Sequence, residues 1–190
     1  TFVSKIKDIE PYEAAKLLAE MYRIDISDSK PQKPSIKKYL QACMKDVDKT
    51  DYFAKRGLTS DTIKKFCLGY DVHRNAVVIP YSSELTYYQT RSIADKKFFK
   101  PPTEDAGAEP LFNRKALWMS EKEPVFVVES PICALSVMQS GGLAVSLCGV
   151  GGASKLIKDC KIKKPTSPLV LCLDNDEPGN KASAQLAADL

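Results

Sequence analysis

The order of apolar and polar residues predicts helices in the first third of the chain. Apolar residues recur at helical spacing between Pro11 and Tyr22, which indicates an amphipathic helix with a proline in its first turn. A second helix is predicted from Ser35 to Val47. A third should begin after Thr59 and Ser60, since either hydroxyl can cap it, and should end at Gly69.

Between the first two helices the chain is polar from Asp25 to Ser35 and contains two prolines, which predicts a linker. From residue 76 the pattern changes to short β-branched and aromatic runs. Ala76–Pro80 and Thr86–Arg91 are joined by five turn-prone residues and predict a β-hairpin. The middle of the chain is therefore expected to be an α+β subdomain.

From Pro124 onward, apolar strand patterns alternate with helical patterns. The strands are predicted at Val125–Val128, Leu143–Leu147 and Leu169–Leu173, and the helices at Pro131–Gln139, Ala153–Lys158 and Asn180–Leu190. Such alternation predicts an α/β fold in which helices flank a parallel sheet. In these sheets ligands bind outside the carboxyl ends of the strands.

Composition limits the classes of protein to consider. The chain has 190 residues, of which 44% are hydrophobic and 27% are charged, so it can bury an ordinary core. No apolar run approaches the ~20 residues of a membrane span, and residues 1–8 do not resemble a signal peptide. We expect a cytoplasmic protein, and both ends of the chain look like cuts in a longer one.

The six cysteines lie singly, with no C-x-x-C pair, and the chain has one histidine, His73. This argues against an internal zinc site. Several cysteines fall in apolar strand patterns, where a free thiol behaves as a small hydrophobe. We therefore expect reduced cysteines in the core rather than disulfides.

Three acidic residues follow predicted strands. Glu129 comes directly after one strand, and Asp174 and Asp176 follow another. If their segment is extended, the two aspartates share a face about 6–7 Å apart. Magnesium prefers such hard oxygen ligands, so Mg²⁺ or Mn²⁺ is the expected cofactor. A single acid at a strand end is more often a solvated cap, but three together favour a metal site.

Residues 174–179, with the sequence DNDEPG, carry the Asp-x-Asp-x-x-Gly signature of the Toprim domain. With Glu129 one strand–helix pair earlier, the segment from Pro124 to Leu190 resembles a full Toprim motif set. The resemblance implies a Toprim-like parallel sheet with Glu129, Asp174 and Asp176 as catalytic and metal-binding residues. The resemblance implies a metal-binding acidic site but does not say which reaction is catalysed, because topoisomerases, recombination proteins and nucleases share this domain.

Upstream segments resemble bacterial DnaG-type DNA primases. The matching segments, in the family's order, are residues 52–70, 76–81, 88–91, 96–100 and 110–118. The resemblance implies metal-dependent synthesis of RNA primers from ribonucleoside triphosphates on a single-stranded DNA template, with a replicative helicase as partner.

Residues 1–19 resemble the tail of the zinc-binding domain of these primases, whose zinc ligands would lie before Thr1. The implied domains are residues 1–30 as tail and linker, 31–120 as the smaller α+β subdomain and 121–190 as the Toprim domain.

A basic stretch interleaved with aromatic residues precedes the Toprim segment. Its cations are Arg91, Lys96, Lys97, Lys100, Arg114 and Lys115. Cations that follow phosphates and rings that stack on bases suit a single strand, so these residues are predicted to bind template and nucleotide. The alternative is a solvated basic face over ordinary core aromatics.

A glycine loop at residues 149–152 can cradle phosphate through its N–H groups, although a lone glycine loop is more often an ordinary turn. Gly149, Gly151 and Gly179 are therefore second-tier candidates.

The sequence departs from the primase pattern at Ser130 and Cys133, where the family usually has a glycine and an acid. A serine at this position occurs in Toprim-like proteins of mobile elements, so a plasmid, phage or transposon origin is consistent with it. The rival functions are another Toprim enzyme, either a nuclease or a topoisomerase, and a nucleic-acid-binding replication or mobilisation module with a degenerate Toprim site. An Asp-x-Asp phosphatase is disfavoured because its motif lies near the start of the chain.

Overall fold

The structure is a computed structural model that describes residues 2–22 and 35–190. The chain divides into two compact units, residues 1–33 and 34–190. In the first unit, helix α1 spans Phe2–Lys7 and α2 spans Pro11–Met21, which confirms the predicted amphipathic helix. The predicted linker from Asp25 lies outside the described residues, apart from Ser35.

The second unit begins with short helices and an antiparallel sheet. The helices are α3 (Ile36–Lys45), α4 (Tyr52–Lys55) and α5 (Ser60–Lys65), with a 3₁₀ turn at Val47–Lys49. The strands are β1 (Gly69–Asp71), β2 (Ala76–Pro80), β3 (Tyr88–Ser92) and β4 (Phe98–Phe99), in that order in the sheet. A short helix, α6 (Thr103–Ala106), follows β4. The predicted hairpin is confirmed as the pair β2 and β3.

Side-chain caps explain where two of these helices begin, but Gly69 does not end α5 as predicted. The Ser35 hydroxyl accepts a hydrogen bond from the Lys38 N–H at 3.4 Å, and the Thr59 hydroxyl accepts one from the Thr62 N–H at 3.3 Å. Gly69 instead begins β1, where a Cβ atom would lie 2.8 Å from the Cys43 carbonyl carbon. Glycine is needed there for close packing of the strand on α3.

The remainder of the second unit forms the predicted parallel sheet with flanking helices. Its elements are β5 (Val125–Val128), α7 (Pro131–Gln139), β6 (Leu143–Ser146), α8 (Ala153–Ile162), β7 (Leu169–Cys172) and α9 (Glu177–Asp189). Further 3₁₀ turns lie at Arg114–Trp118 and Val150–Gly152. The strand order is β6-β5-β7, and both neighbours pair with β5 in parallel.

The last helix begins earlier than the sequence pattern indicated. The prediction placed its start at Asn180, whereas α9 begins at Glu177 with Pro178 in its first turn. The Asp176 side chain is its N-cap and accepts a hydrogen bond from the Gly179 N–H at 2.8 Å. The start of this helix is therefore tied to one of the candidate site residues.

Phe112 joins the two sheets of the second unit. Its backbone forms an isolated antiparallel bridge with Ser146 at the end of β6, through N–H to oxygen distances of 3.2 and 3.1 Å. Its fully buried ring packs edge-on against Tyr81, at the end of the hairpin strand β2. One apolar core contains Tyr81, Phe112 and Val128, so the core continues from the antiparallel sheet into the parallel one.

The cysteines only partly follow the prediction. All six are free thiols, but Cys133 and Cys172 are exposed and Cys43 is buried. The core assignment is wrong for the exposed pair because one lies in the first turn of α7 and the other ends an edge strand. In the described part of the chain, no helix has the length and apolar character needed to cross a membrane.

Candidate active site at the carboxyl edge of the parallel sheet

Glu129 is the residue that follows β5, the central strand of the parallel sheet. Its backbone carbonyl accepts hydrogen bonds from the Gly149 N–H at 3.1 Å and from the Ser146 hydroxyl at 2.8 Å. Ser130, the next residue, caps α7 by accepting a hydrogen bond from the Cys133 N–H at 3.3 Å. Glu129 is thus held on both sides at a strand-to-helix junction.

Asp174 and Asp176 follow β7, which pairs with β5 in the register Val128 to Cys172. Both aspartates therefore emerge at the same edge of the sheet as Glu129. Gly179 shapes this loop, because a Cβ atom there would lie 2.1 Å from the Asp174 carbonyl oxygen and 3.0 Å from an Asp176 carboxylate oxygen. The spacing Asp-x-Asp-x-x-Gly is a steric requirement of this turn.

The charges of the two aspartates act on Glu129. Burial first, and then the negative charges of Asp174 and Asp176, raise the pKa of Glu129 above its ordinary value. The Glu129 Oε2 atom is also buried and has no hydrogen-bond partner among the described residues. A buried carboxylate oxygen in this state costs free energy, and a cation or a proton would remove that cost.

The donor chemistry of these acids fits a magnesium or manganese ion, since all three supply hard carboxylate oxygens. In the part of the chain that the structure describes, however, no group of three His, Cys, Asp or Glu side chains is already arranged around one point. Asp174 and Asp176 are exposed at the surface and Glu129 is half-buried. The three acids therefore lie at one edge of the sheet, but their carboxylates do not surround a common point.

The glycine loop between β6 and α8 lies against the Glu129 backbone. Gly149 has a φ of 107°, and its N–H is already bonded to the Glu129 carbonyl. Gly152 is buried, and a Cβ atom added there would lie 2.0 Å from the Leu147 carbonyl oxygen and would clash with it. Gly151 is exposed with open space around it. The positive φ explains Gly149 and close packing explains Gly152, while phosphate binding by the loop, at Gly149 and Gly151, stays a prediction.

The predicted basic residues in β3 and around β4 form a strip with exposed aromatic rings. The Arg91 guanidinium lies between the rings of Tyr52 and Phe98, 5.4 and 5.6 Å from their centres, and donates a hydrogen bond to the Tyr52 hydroxyl. Lys96 is exposed, and Lys97 forms an exposed ion pair with Asp95 at 3.0 Å. Lys96, Lys97 and Phe98 are accessible to a ligand, whereas Arg91 is half-buried.

Arg114 and Lys115 are engaged within the protein. Arg114 forms a bidentate pair with Asp159 of α8, at 2.5 and 2.6 Å, and lies over the Trp118 ring. Lys115 is paired with Glu84. For Arg114 in particular, the contacts support a role in packing the 3₁₀ turn against α8.

The predicted Lys100 belongs to a polar cluster whose other members, Glu109 and Lys155, were not predicted from the sequence. Glu109 accepts hydrogen bonds from Lys100 and Lys155, each at 2.6 Å, and from the Tyr81 hydroxyl at 2.9 Å. The same hydroxyl lies 3.1 Å from the buried Gln89. Lys155, three residues after the glycine loop, was the available signal, but Glu109 lies in a loop with no recognisable motif.

Comparisons with known proteins follow the same division of the chain. A family model described as Toprim-like (Toprim_2) matches residues 126–190. No curated protein matches the chain by sequence.

One chain of a solved bacteriophage T7 complex is similar in fold, with a TM-score of 0.55 and 23% sequence identity over 72% of each chain. That complex is the lagging-strand DNA polymerase interacting with primase domains of two gp4 subunits, bound to an RNA/DNA hybrid and dTTP. The findings support a Toprim-type protein with a primase-like fold.

Proposed function

We propose that this chain is the catalytic core of a DNA primase, a DNA-directed RNA polymerase that makes short primers from ribonucleoside triphosphates. The observation that carries the proposal is the buried, unpartnered Oε2 atom of Glu129, whose pKa is raised by burial and by Asp174 and Asp176 at the same sheet edge. A carboxylate with a perturbed pKa beside other acids is typical of functional sites. The T7 complex contains primase domains with RNA/DNA and a nucleotide, which supports this reaction over other Toprim chemistry.

In this proposal Asp174, Asp176 and Glu129 would hold the metal. Bound magnesium would supply positive charge that activates a 3′-hydroxyl and neutralises the departing pyrophosphate. Glu129, at the end of the central strand, could accept the proton of the 3′-hydroxyl directly or act on it through the metal. Gly179 holds the two aspartates in their turn, and Ser130 fixes the start of α7 beside Glu129.

The strip of Arg91, Lys96 and Lys97 with Phe98 is the proposed binding surface for the single-stranded template. Phe98 exposes 57% of its surface and Phe99 exposes 52%, so both rings are available for stacking on bases. Arg114 and Lys115 are weaker members of this surface because their charges are already paired. A replicative helicase as partner, and a mobile-element origin, rest on the sequence resemblance alone.

The test is templated primer synthesis by the full-length protein with ribonucleotides and magnesium or manganese. Glu129→Gln, Asp174→Asn and Asp176→Asn should each lower the rate roughly a hundredfold or more while the thermal melt stays cooperative. Glu121→Gln, in an exposed loop before β5, is the matched control and should retain the wild-type rate. Near wild-type synthesis by all three site variants would instead favour a nucleic-acid-binding module with a degenerate Toprim site.

A further inference from the structure

Two lysines on separate elements share one carboxylate at the basic end of the candidate site. Lys100 follows β4 and Lys155 lies in the first turn of α8, yet each donates to a different oxygen of Glu109 at 2.6 Å. This arrangement keeps the two ammonium groups close together. It joins the antiparallel sheet region to the helix that follows the glycine loop.

The cluster is backed by buried groups but is open on its outer side. Tyr81 and Gln89, each 3% exposed, lie behind Glu109, whose own side chain is 17% exposed. Both lysines are 36% exposed. Each ammonium has three donors, so donors remain for a second anion after Glu109 has been satisfied. The two positive charges also exceed the single negative charge of Glu109.

The topology points to a phosphate group as the anion. The acids follow β5 and β7, and Lys155 lies in the first turn of the helix that follows β6, so both groups belong to elements that meet at the carboxyl edge of the sheet. Ligands of parallel sheets bind along this edge. Lysine is a common point-charge ligand for phosphate.

We infer that Lys100 and Lys155 form a binding subsite for the phosphate tail of the incoming nucleoside triphosphate, and that Glu109 is the internal counter-ion occupying this subsite when no nucleotide is bound. The inference rests on the function proposed above and adds to it a subsite outside the acidic triad. Glu109 competes with the phosphates for the two ammonium groups. When the phosphates bind, the carboxylate retains the Tyr81 hydroxyl as its hydrogen-bond donor.

The direct test is binding of inorganic tripolyphosphate to the full-length protein in metal-free, low-salt buffer, measured by calorimetry. Lys100→Gln and Lys155→Gln should each weaken binding about three- to tenfold, because each removes one charge from the subsite. Lys158→Gln, exposed on the same helix as Lys155, should bind as the wild type does. Lys155→Arg keeps the charge and should retain most of the affinity. Wild-type affinity in both glutamine variants would overturn the subsite.

Glu109→Gln tests the role of the counter-ion. Removing its charge should tighten tripolyphosphate binding about two- to threefold, and this gain should vanish when Lys100 and Lys155 are both glutamine. A thermal melt of each variant shows that the fold is retained. Unchanged or weaker binding by folded Glu109→Gln would show that Glu109 does not compete with phosphate.

Binding of a single-stranded oligonucleotide shows whether the subsite recognises the phosphates of the nucleotide or those of the template. If the lysine variants lose affinity for a single-stranded oligonucleotide but not for tripolyphosphate, the subsite binds the template and the nucleotide assignment is wrong. Asp174→Asn separates this inference from the proposed function: it should abolish synthesis, whereas metal-free tripolyphosphate binding should be retained or become tighter, because a negative charge at the same sheet edge is removed. If the wild type binds tripolyphosphate through the two lysines but makes no primers, the subsite is retained and the primase function is rejected.

Discussion

At the scale of single residues, the candidate site depends on a few positions where backbone geometry and charge allow little choice. Gly179 is one, because the turn that carries Asp174 and Asp176 leaves no room for a Cβ atom. Glu129 is another, because its carboxylate is half-buried beside like charges. Both residues connect the local fold directly to the proposed chemistry.

Gly179→Ala should destabilise the protein by about 1–3 kcal/mol, the usual cost of inserting a methyl group into a filled space. The new Cβ atom would lie 2.1 Å from the Asp174 carbonyl oxygen, so the aspartate turn must shift. Gly151→Ala is the matched control, since nothing lies within 4 Å of its added atom. Urea unfolding of the two variants checks this, and equal stabilities would contradict the steric account.

Glu129→Gln should raise the stability of the metal-free protein near neutral pH. The pKa of Glu129 is higher in the folded protein than in the unfolded chain. The wild type therefore loses stability as the pH rises from the ordinary glutamate range through the raised pKa. The glutamine variant has no such loss, because its side chain does not ionise. The stability difference should therefore shrink as pH falls. Unfolding of both proteins from pH 4 to pH 8 tests this, and a stability difference that grew as the pH fell would contradict it.

Added magnesium should raise the stability of the wild type, since an ion that binds only the folded state stabilises it. The wild type should gain more from added magnesium than Glu129→Gln does. Equal gains would remove Glu129 from the metal site.

At the scale of elements, the short strand β4 and the neighbouring part of β3 present cations and rings on one strip. Lys97 and Phe98 are exposed there, and Arg91 lies between two rings. The short edge strand contributes little buried apolar surface. Its composition is therefore better explained by ligand binding than by folding.

Lys97→Gln should weaken single-strand binding and lower the slope of log K against log salt by about 0.7, the contribution of one phosphate contact. Stability should stay near the wild-type value, because the ion pair lost, with Asp95, is exposed and contributes little. Lys122→Gln, in the exposed loop before β5, is the control. An unchanged slope in Lys97→Gln would remove this lysine from the binding surface.

At the scale of the whole second unit, Phe112 links the two sheets whose edges border the candidate site. Its ring is 1% exposed and packs against Tyr81, while its backbone pairs with Ser146. Lys100 and Glu109 reach Lys155 near the same junction. The relative position of acids and lysines therefore depends on this packing.

Phe112→Ala should destabilise the protein by about 3–5 kcal/mol, the cost of removing a fully buried aromatic ring. Phe98→Ala removes the same atoms from an exposed position and should change stability by about 0.5 kcal/mol or less. Chemical denaturation of both variants provides the comparison. A small effect at Phe112 would show that the sheets are held together by other contacts.

The sequence by itself determined most of the local structure. Short continuous runs of β-branched and apolar residues predicted β2 and β5, and the Ser130–Pro131 cap followed by an apolar segment predicted α7, each within a residue or two. The Asp-x-Asp-x-x-Gly spacing identified the aspartate turn, because its glycine is a local steric requirement. Helix starts were less accurate, as α9 shows, because capping depends on which side chain turns back to the backbone.

Only the tertiary structure decided which distant charges meet. It paired Arg114 with Asp159, 45 positions away, and it placed Glu109 between Lys100 and Lys155. It also exposed Cys133 and Cys172 and assigned Gly69 to strand packing against Cys43. Such contacts depend on how elements pack across the chain, and no local period records that packing, whereas a strand, a cap or a tight turn is fixed by residues within a few positions of one another.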